Sequence, residues 1–199
     1  MVTVEADPVY VESRLSGGAI ACPACPGGVL SGWGYARARH VEGLGGPVRP
    51  RRARCRSCLV THVLLPVTVL LRRSYAAERI WMSLIARAAG VGHRRIAARF
   101  NIPVVTVRGW LRRAAQRLEL IRAWFIGVTV RTGIDVVIPD GQGCLWGDVV
   151  AAVDAAAAAI GQRFGPAGLL GAVTPAQVVV AASGGRLLSP GWPPPASRL

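Results

Sequence analysis

The sequence predicts an α+β fold, mostly α: a small N-terminal β-sheet followed by a run of helices. Two observations lead there. Two C-x2-C pairs, Cys22/Cys25 and Cys55/Cys58, bracket short apolar stretches of period two, and past Arg73 the apolar period lengthens to 3.6. A third narrows the class: the most apolar stretch, residues 149–160, is short and interrupted by Asp154, so no membrane span is expected.

The cysteines come first. Twenty-nine residues separate the two pairs, and the fifth, Cys144, stands alone beside Trp146. A C-x2-C turn presents two thiolates from one tight loop, so two such turns complete a tetrahedral shell. In CPACPGG, Pro23 stiffens the turn, and Gly27 and Gly28 allow positive φ after it. Strands are expected over Val29–Tyr35, Val48–Arg54 and Thr61–Leu65, with Gly43, Gly45, Gly46 and Pro47 turning the chain between the first two. This is the layout of a zinc ribbon over 20–68, with structural Zn²⁺ on Cys22, Cys25, Cys55 and Cys58. A thioredoxin-like redox site would need one pair opening a helix, and two pairs without such a helix argue against it. His62 is read as a neighbour that hydrogen-bonds or packs, since four cysteines already close the shell.

Residues 1–19 are an acidic N-terminal extension without the basic and apolar regions of a signal peptide, and a cytoplasmic protein is expected. In the helical region, SYAAERIWMSLIARAAG puts Ala77, Ile80, Trp81, Leu84, Ile85 and Ala88 on one face, with Ser74 as N-cap and Gly90 as stop. A second, short helix runs through Ile96, Ala97 and Phe100. Asn101 takes the tight turn, Ile102 plugs the angle, and a third helix begins near Pro103 or Val104 with Val107, Trp110, Leu111 and Ala114 inward. A helix-turn-helix domain is therefore assigned to 73–125, a linker loop to 126–145, a C-terminal helical region to 146–190 and a disordered tail to 191–199. Within 146–190, Trp146, Val149, Val150, Val153, Ala157, Ile160 and Phe164 share a face, and TPAQ at 174–177 reads as a capping box.

Charge points to the partner. The formal net charge is +14, every basic residue is arginine, and between Arg37 and Arg131 twenty arginines face three acids, Glu42, Glu78 and Glu119. Such a block predicts a polyanion, nucleic acid first and an anionic membrane second, and double-stranded DNA is the partner expected. A helix in the major groove presents outward residues near its amino end. Val104, Val105, Arg108, Arg112 and Gln116 are the expected base contacts, arginine suiting guanine and valine the thymine methyl. Arg52 and Arg54 on the ribbon, and Arg94, Arg95, Arg99 and Arg113 on the helices, are the expected phosphate contacts. No catalytic centre is expected, because turn and capping roles account for Asp135, Asp140, Asp148 and Asp154. Two other classes stay open: an RNA-binding ribbon, with Trp33 and Tyr35 as its only stacking candidates, and an adaptor whose basic face meets an acidic protein.

The order apolar, Ala97, apolar, Asn101, Ile102, then inward Val107 and Trp110 resembles the helix-turn-helix signature of repressors and transposases. The stretches CPAC, CRSCLVTHVLLP, YAAERI and IAARFNIPVVTVRGWLRR, with GGRLL near the end, extend the likeness. They resemble the N-terminal DNA-binding part of ISL-type transposases and, more closely, a family of small zinc-ribbon plus helix-turn-helix proteins of high-GC bacteria, some encoded near transposase or integrase genes. The resemblance implies nucleoid-associated DNA binding tied to mobile elements, as a regulator or as accessory to a transposase or integrase. A homodimer would imply paired half-sites about one helical turn apart.

Overall fold

The computed structural model describes residues 1–168 and 173–194. Among them lie seven α-helices and one four-stranded sheet, and the chain divides into two compact units, Met1–Ala76 and Ala77–Leu199.

The first unit holds the sheet, in the order β1-β4-β3-β2: β1 (Val2–Val4), β2 (Leu30–Tyr35), β3 (Arg51–Cys55) and β4 (Thr61–Pro66). β2 and β3 pair antiparallel, Leu30 against Cys55 and Ser31 against Arg54, with a register shift between Gly32 and Tyr35. β3 pairs antiparallel with β4, which sets Ala53 opposite His62. The alternation in β3 is strict: Ala53 and Cys55 are buried, while Arg52 is exposed.

Residues 1–19 are no extension. β1 adds parallel to β4, with Val2 opposite Leu64 and Val4 opposite Pro66. Helix α1 (Pro8–Ser16) follows, capped by Asp7, whose Oδ1 accepts from the Val9 N–H at 2.8 Å, with Pro8 pre-set in its first turn. α1 buries Val11 and Leu15 one turn apart into a core of Val4, Ile20, Cys22, Leu30, Ala53, Cys55 and Leu64. The acids of this segment are used at home: Glu12 accepts from Arg51 Nε at 2.6 Å, and Glu5 pairs with Arg14.

The second unit begins with α2 (Ala77–Ala88), α3 (His93–Phe100) and α4 (Val104–Ala115). α2 starts later than the Ser74 cap requires, because Tyr75 and Ala76 are held extended in bridges to Glu42 and Val69. It stops at Gly90, which has φ 80°. Three residues join α3 to α4. Asn101 adopts the left-handed conformation (φ 51°, ψ 53°), Ile102 is buried, and Pro103 precedes the first helical residue of α4. Ile96, Ala97, Val107, Trp110, Leu111 and Ala114 are all buried.

α5 (Leu118–Thr132) overruns the expected boundary at 125 and ends only at Gly133, so seven residues assigned to a linker are helical. It buries Leu118, Ile121, Phe125 and Thr129. α6 (Leu145–Gly168) packs most extensively against α5 and carries one non-helical residue, Gly165. Its buried stripe is Val149, Ala152, Val153, Ala156 and Ala159, whereas Phe164, expected inward, is 49% exposed. Alanines permit a closer helix approach than large side chains do, so the seam follows the small residues. α7 (Pro175–Ser183) opens with the capping box: Thr174 Oγ1 accepts from the Gln177 N–H at 3.2 Å, and Gln177 Oε1 accepts from the Thr174 N–H at 3.0 Å. No helix among the described residues is long and apolar enough to cross a membrane.

The segment assigned as a disordered tail from 191 is corrected at its start, while 195–199 lie outside the described residues. Trp192 is buried, edge-on to Trp124 with ring centroids 5.7 Å apart and 6.4 Å from Phe125. Arg117 Nη1 donates to the carbonyls of Ser189 at 2.7 Å and Trp192 at 2.8 Å, tying the segment to the start of α5. Trp192→Ala is therefore expected to cost about 3 kcal/mol, the usual scale for truncating a buried aromatic, read as a lower denaturation midpoint in urea.

Candidate metal centre and basic helical face

The four paired cysteines converge. Cys22 and Cys25 flank the turn before β2, Cys55 closes β3 and Cys58 lies in the following turn, and their four sulfurs all lie within 4.8 Å of one another. Cys22 Sγ is 3.8 Å from Cys58 Sγ, and Cys25 Sγ is 3.6 Å from Cys55 Sγ. Sulfurs bound at about 2.3 Å to one tetrahedral zinc stand about 3.8 Å apart, so the spacing fits a single ion. Cys22 and Cys55 are buried and Cys58 is exposed, which gives the cluster one open side.

The surrounding backbone favours thiolates. The Ala24 N–H donates to Cys22 Sγ at 3.3 Å, and those of Ser57 and Cys58 donate to Cys55 Sγ at 3.4 and 3.5 Å. Donation from the Cys58 amide, assisted by Ser57, draws the Cys55 thiol down to about 6 despite its burial. Cys25 instead donates its S–H to the sulfurs of Cys58 and Cys55, which pushes its own thiol up to about 12. One sulfur of the set is thus ready to ligate and another must release a proton, so metal uptake at this site liberates protons.

Two neighbours complete the surroundings. His62 on β4 is buried, with Nε2 3.5 Å from Cys22 Sγ, and burial lowers its pKa. It thus contacts one sulfur of the four-cysteine set. Gly28 is the residue sequence reading undervalued. A Cβ there would sit 2.8 Å from Cys55 Sγ and closer still to Cys25 Sγ. The sequence signal was its place three residues after Cys25, but only the fold sets its α-carbon against the sulfurs.

The residues read as base contacts on α4 divide by position. Val104, Val105, Arg108 and Arg112 are exposed, Val105 at 78%. Gln116 is also exposed but caps the carboxyl end of α4, three turns from Val104. The buried Val107, Trp110, Leu111 and Ala114 form the opposite face. Arg94, Arg95 and Arg99 are exposed on α3 and Arg113 on α4, where its Nη1 donates to the Gly109 carbonyl at 3.0 Å. No acid occurs between Arg79 and Leu118.

On β3 the two expected phosphate contacts differ. Arg52 is exposed, whereas Arg54 is half-buried, donates from Nε to the Leu59 carbonyl at 3.1 Å and lies over the Trp33 ring at 4.7 Å. Tyr35 is likewise flanked by Arg49 at 4.9 Å and Arg51 at 4.6 Å.

No protein-family model matches the chain, and comparison with curated proteins and with solved structures finds no match to it. Gly28→Ala is expected to push the sulfurs apart and weaken divalent-metal affinity by about 10- to 100-fold, the scale of losses on disturbing a ligand's supporting shell. Loss of thiolate-to-Co²⁺ charge-transfer absorption in the full-length protein measures it.

Proposed function

We propose that this is a sequence-reading, double-stranded-DNA-binding protein, with a helix-turn-helix over α3 and α4 and a structural zinc ribbon over 20–68. One observation carries the reading. The face of α4 opposite its buried side holds Val104, Val105, Arg108 and Arg112 exposed, in a stretch without one acid from Arg79 to Leu118. A helix surface that spends no side chain on self-neutralisation and exposes valines beside arginines suits a major groove, where guanine edges and thymine methyls alternate.

In this mechanism Arg108 and Arg112 donate to guanine O6 and N7, while Val104 and Val105 at the amino end lie against thymine methyls. Arg94, Arg95, Arg99 and Arg113 hold phosphates and fix the register. Gln116, at the far end of α4, suits a flanking contact. Zinc on Cys22, Cys25, Cys55 and Cys58 stabilises the ribbon, whose Arg52 is free to meet a phosphate or a partner protein. A transposase or integrase as partner, and a regulatory or accessory role near a mobile element, follow from the resemblance of these segments to transposase DNA-binding regions. No step of this function needs a catalytic group.

A second reading is favoured by Trp33 and Tyr35, exposed at 54% and 49% beneath Arg49, Arg51 and Arg54. Exposed rings interleaved with arginines also stack unpaired bases, so the ribbon would then hold single strands or RNA. Competition between duplex and single strands for the full-length protein separates the two readings.

Selection of bound duplexes from a random pool tests the first directly. Wild type is expected to enrich a motif, and Arg112→Ala to relax it at about one base position, at a cost of roughly 1–3 kcal/mol. Binding without enrichment, steeply weakened by salt, would mean phosphate contact alone. For the metal, chelation of zinc is expected to unfold residues 20–65 and leave the helices of the second unit standing, because metal binding supplies a small domain's folding energy. Because α1 packs through Val11 and Leu15 on that core and unfolds with it, far-UV circular dichroism should lose little more than this nine-residue helix contributes; collapse of the whole helical signal would contradict this.

A further inference from the structure

The second unit contains a cavity of about 300 Å³ lined by Arg87, Gly92, His93, Arg108, Leu111, Arg112, Ala115 and Trp146. Three arginines and a histidine share it with no acid. Among the described residues, the side chains of Arg87, Arg108 and Arg112 make no hydrogen bond or ion pair, and Arg87 lies over the Trp146 ring at 6.0 Å. Like charges gathered in a concavity repel one another, and the field lines that result are focused into the hollow. Bulk water relieves this less well in a cleft than on an open face, so the arrangement favours an anion.

The rest of the lining says what kind. Gly92 is the N-cap of α3 and brings no capping side chain, so the positive end of that eight-residue helix also borders the cavity. Leu111, Ala115 and Trp146 supply an apolar and aromatic wall beside the charges. A bare phosphate would use only the arginines. A planar ring joined to a phosphate would use both halves, with the ring against Trp146 and oxygens accepting from guanidinium groups. The volume lies at the small end of ligand sites, which run from about 300 to 1,000 Å³.

We propose that this cavity binds a free mononucleotide-sized organic phosphate, with the phosphate on Arg87, Arg108 and Arg112 and the ring on Trp146. Only the consequence rests on the DNA reading above. Arg108 and Arg112 line the cavity and also belong to the groove-facing side of α4, so an occupied cavity withdraws two base-reading arginines and lowers duplex affinity. The ligand is an effector that competes with DNA through shared side chains.

Calorimetric titration of the full-length protein with adenosine monophosphate, inorganic phosphate and adenosine tests this. Adenosine monophosphate should bind at one site, inorganic phosphate at least about tenfold more weakly, and adenosine not at all. Arg87→Gln and Trp146→Leu should each weaken adenosine monophosphate by about tenfold or more, the scale of one lost charge-assisted contact. Arg163→Gln, outside the cavity, should leave binding unchanged, and far-UV circular dichroism checks that each variant keeps its helices. A short duplex should displace the nucleotide; the same nucleotide carried unpaired at the end of a strand should bind no better than the free one. Nucleotide binding without any duplex binding would keep the cavity assignment and remove the DNA reading. Absence of nucleotide binding, equal affinity for inorganic phosphate, or equal weakening by Arg163→Gln would overturn the proposal.

Discussion

The first unit depends on four sulfurs brought within 4.8 Å of one another. Cys22 and Cys55 belong to its buried core as much as to the cluster, lying among Val4, Val11, Leu15, Leu30, Ala53 and Leu64. A sheet of four short strands and a nine-residue helix encloses few apolar side chains, and so small a core stabilises weakly by itself. Converging thiolates would repel one another unless a cation or protons compensated them. The backbone amides aimed at Cys22 and Cys55 offset part of that repulsion. Around this point the other constraints fall into place: Gly28 must lack a side chain, His62 is buried against Cys22 Sγ, and β3 must turn Ala53 and Cys55 inward, which leaves Arg52 outward.

In the second unit the constraint is different. Helices α2 to α6 are held by buried apolar stripes, and their cations are left on the outside with hardly an acid to pair with. Several are nonetheless engaged: Arg117 satisfies two carbonyls near Trp192, Arg79 and Arg113 each donate to a carbonyl, and Arg122 pairs with Glu119. On the sheet of the first unit, arginines are also internalised into structure: Arg51 with Glu12 and Tyr35, Arg54 with Trp33. The same residue type therefore serves two ends. Where an acid, carbonyl or ring lies within reach, the guanidinium becomes part of the fold; where none does, as for Arg108 and Arg112, it remains available to an anion.

Much of this was legible in the sequence wherever signals are local. The spacing of the cysteine pairs identified four converging sulfurs, alternation identified β2 to β4 within a few residues, and Asn101, Gly90 and the TPAQ box marked helix ends correctly. The failures share a cause. The first nineteen residues carry a clear local cue, with Asp7 before Pro8 and Val11 one turn before Leu15. Their acidity suggested a solvated extension, and nothing nearby in sequence shows that Glu12 would meet Arg51. The stripe of α6 was misassigned because bulky residues were expected inward, whereas its partner α5 selects the alanine seam.

What the sequence determined by itself was most of the elements from β2 onward, the four-sulfur set and the sign of the surface, because turn chemistry, apolar periodicity and charge act over a few residues. What only the tertiary structure decided was which distant groups meet. β1 beside β4, Gly28 against the sulfurs, Trp192 between α5 and its neighbours, and Arg87 over Trp146 are all products of chain crossings tens of residues long. Packing chooses among the many pairings that local preferences leave equal, and close contact then decides which charges are satisfied and which stay exposed.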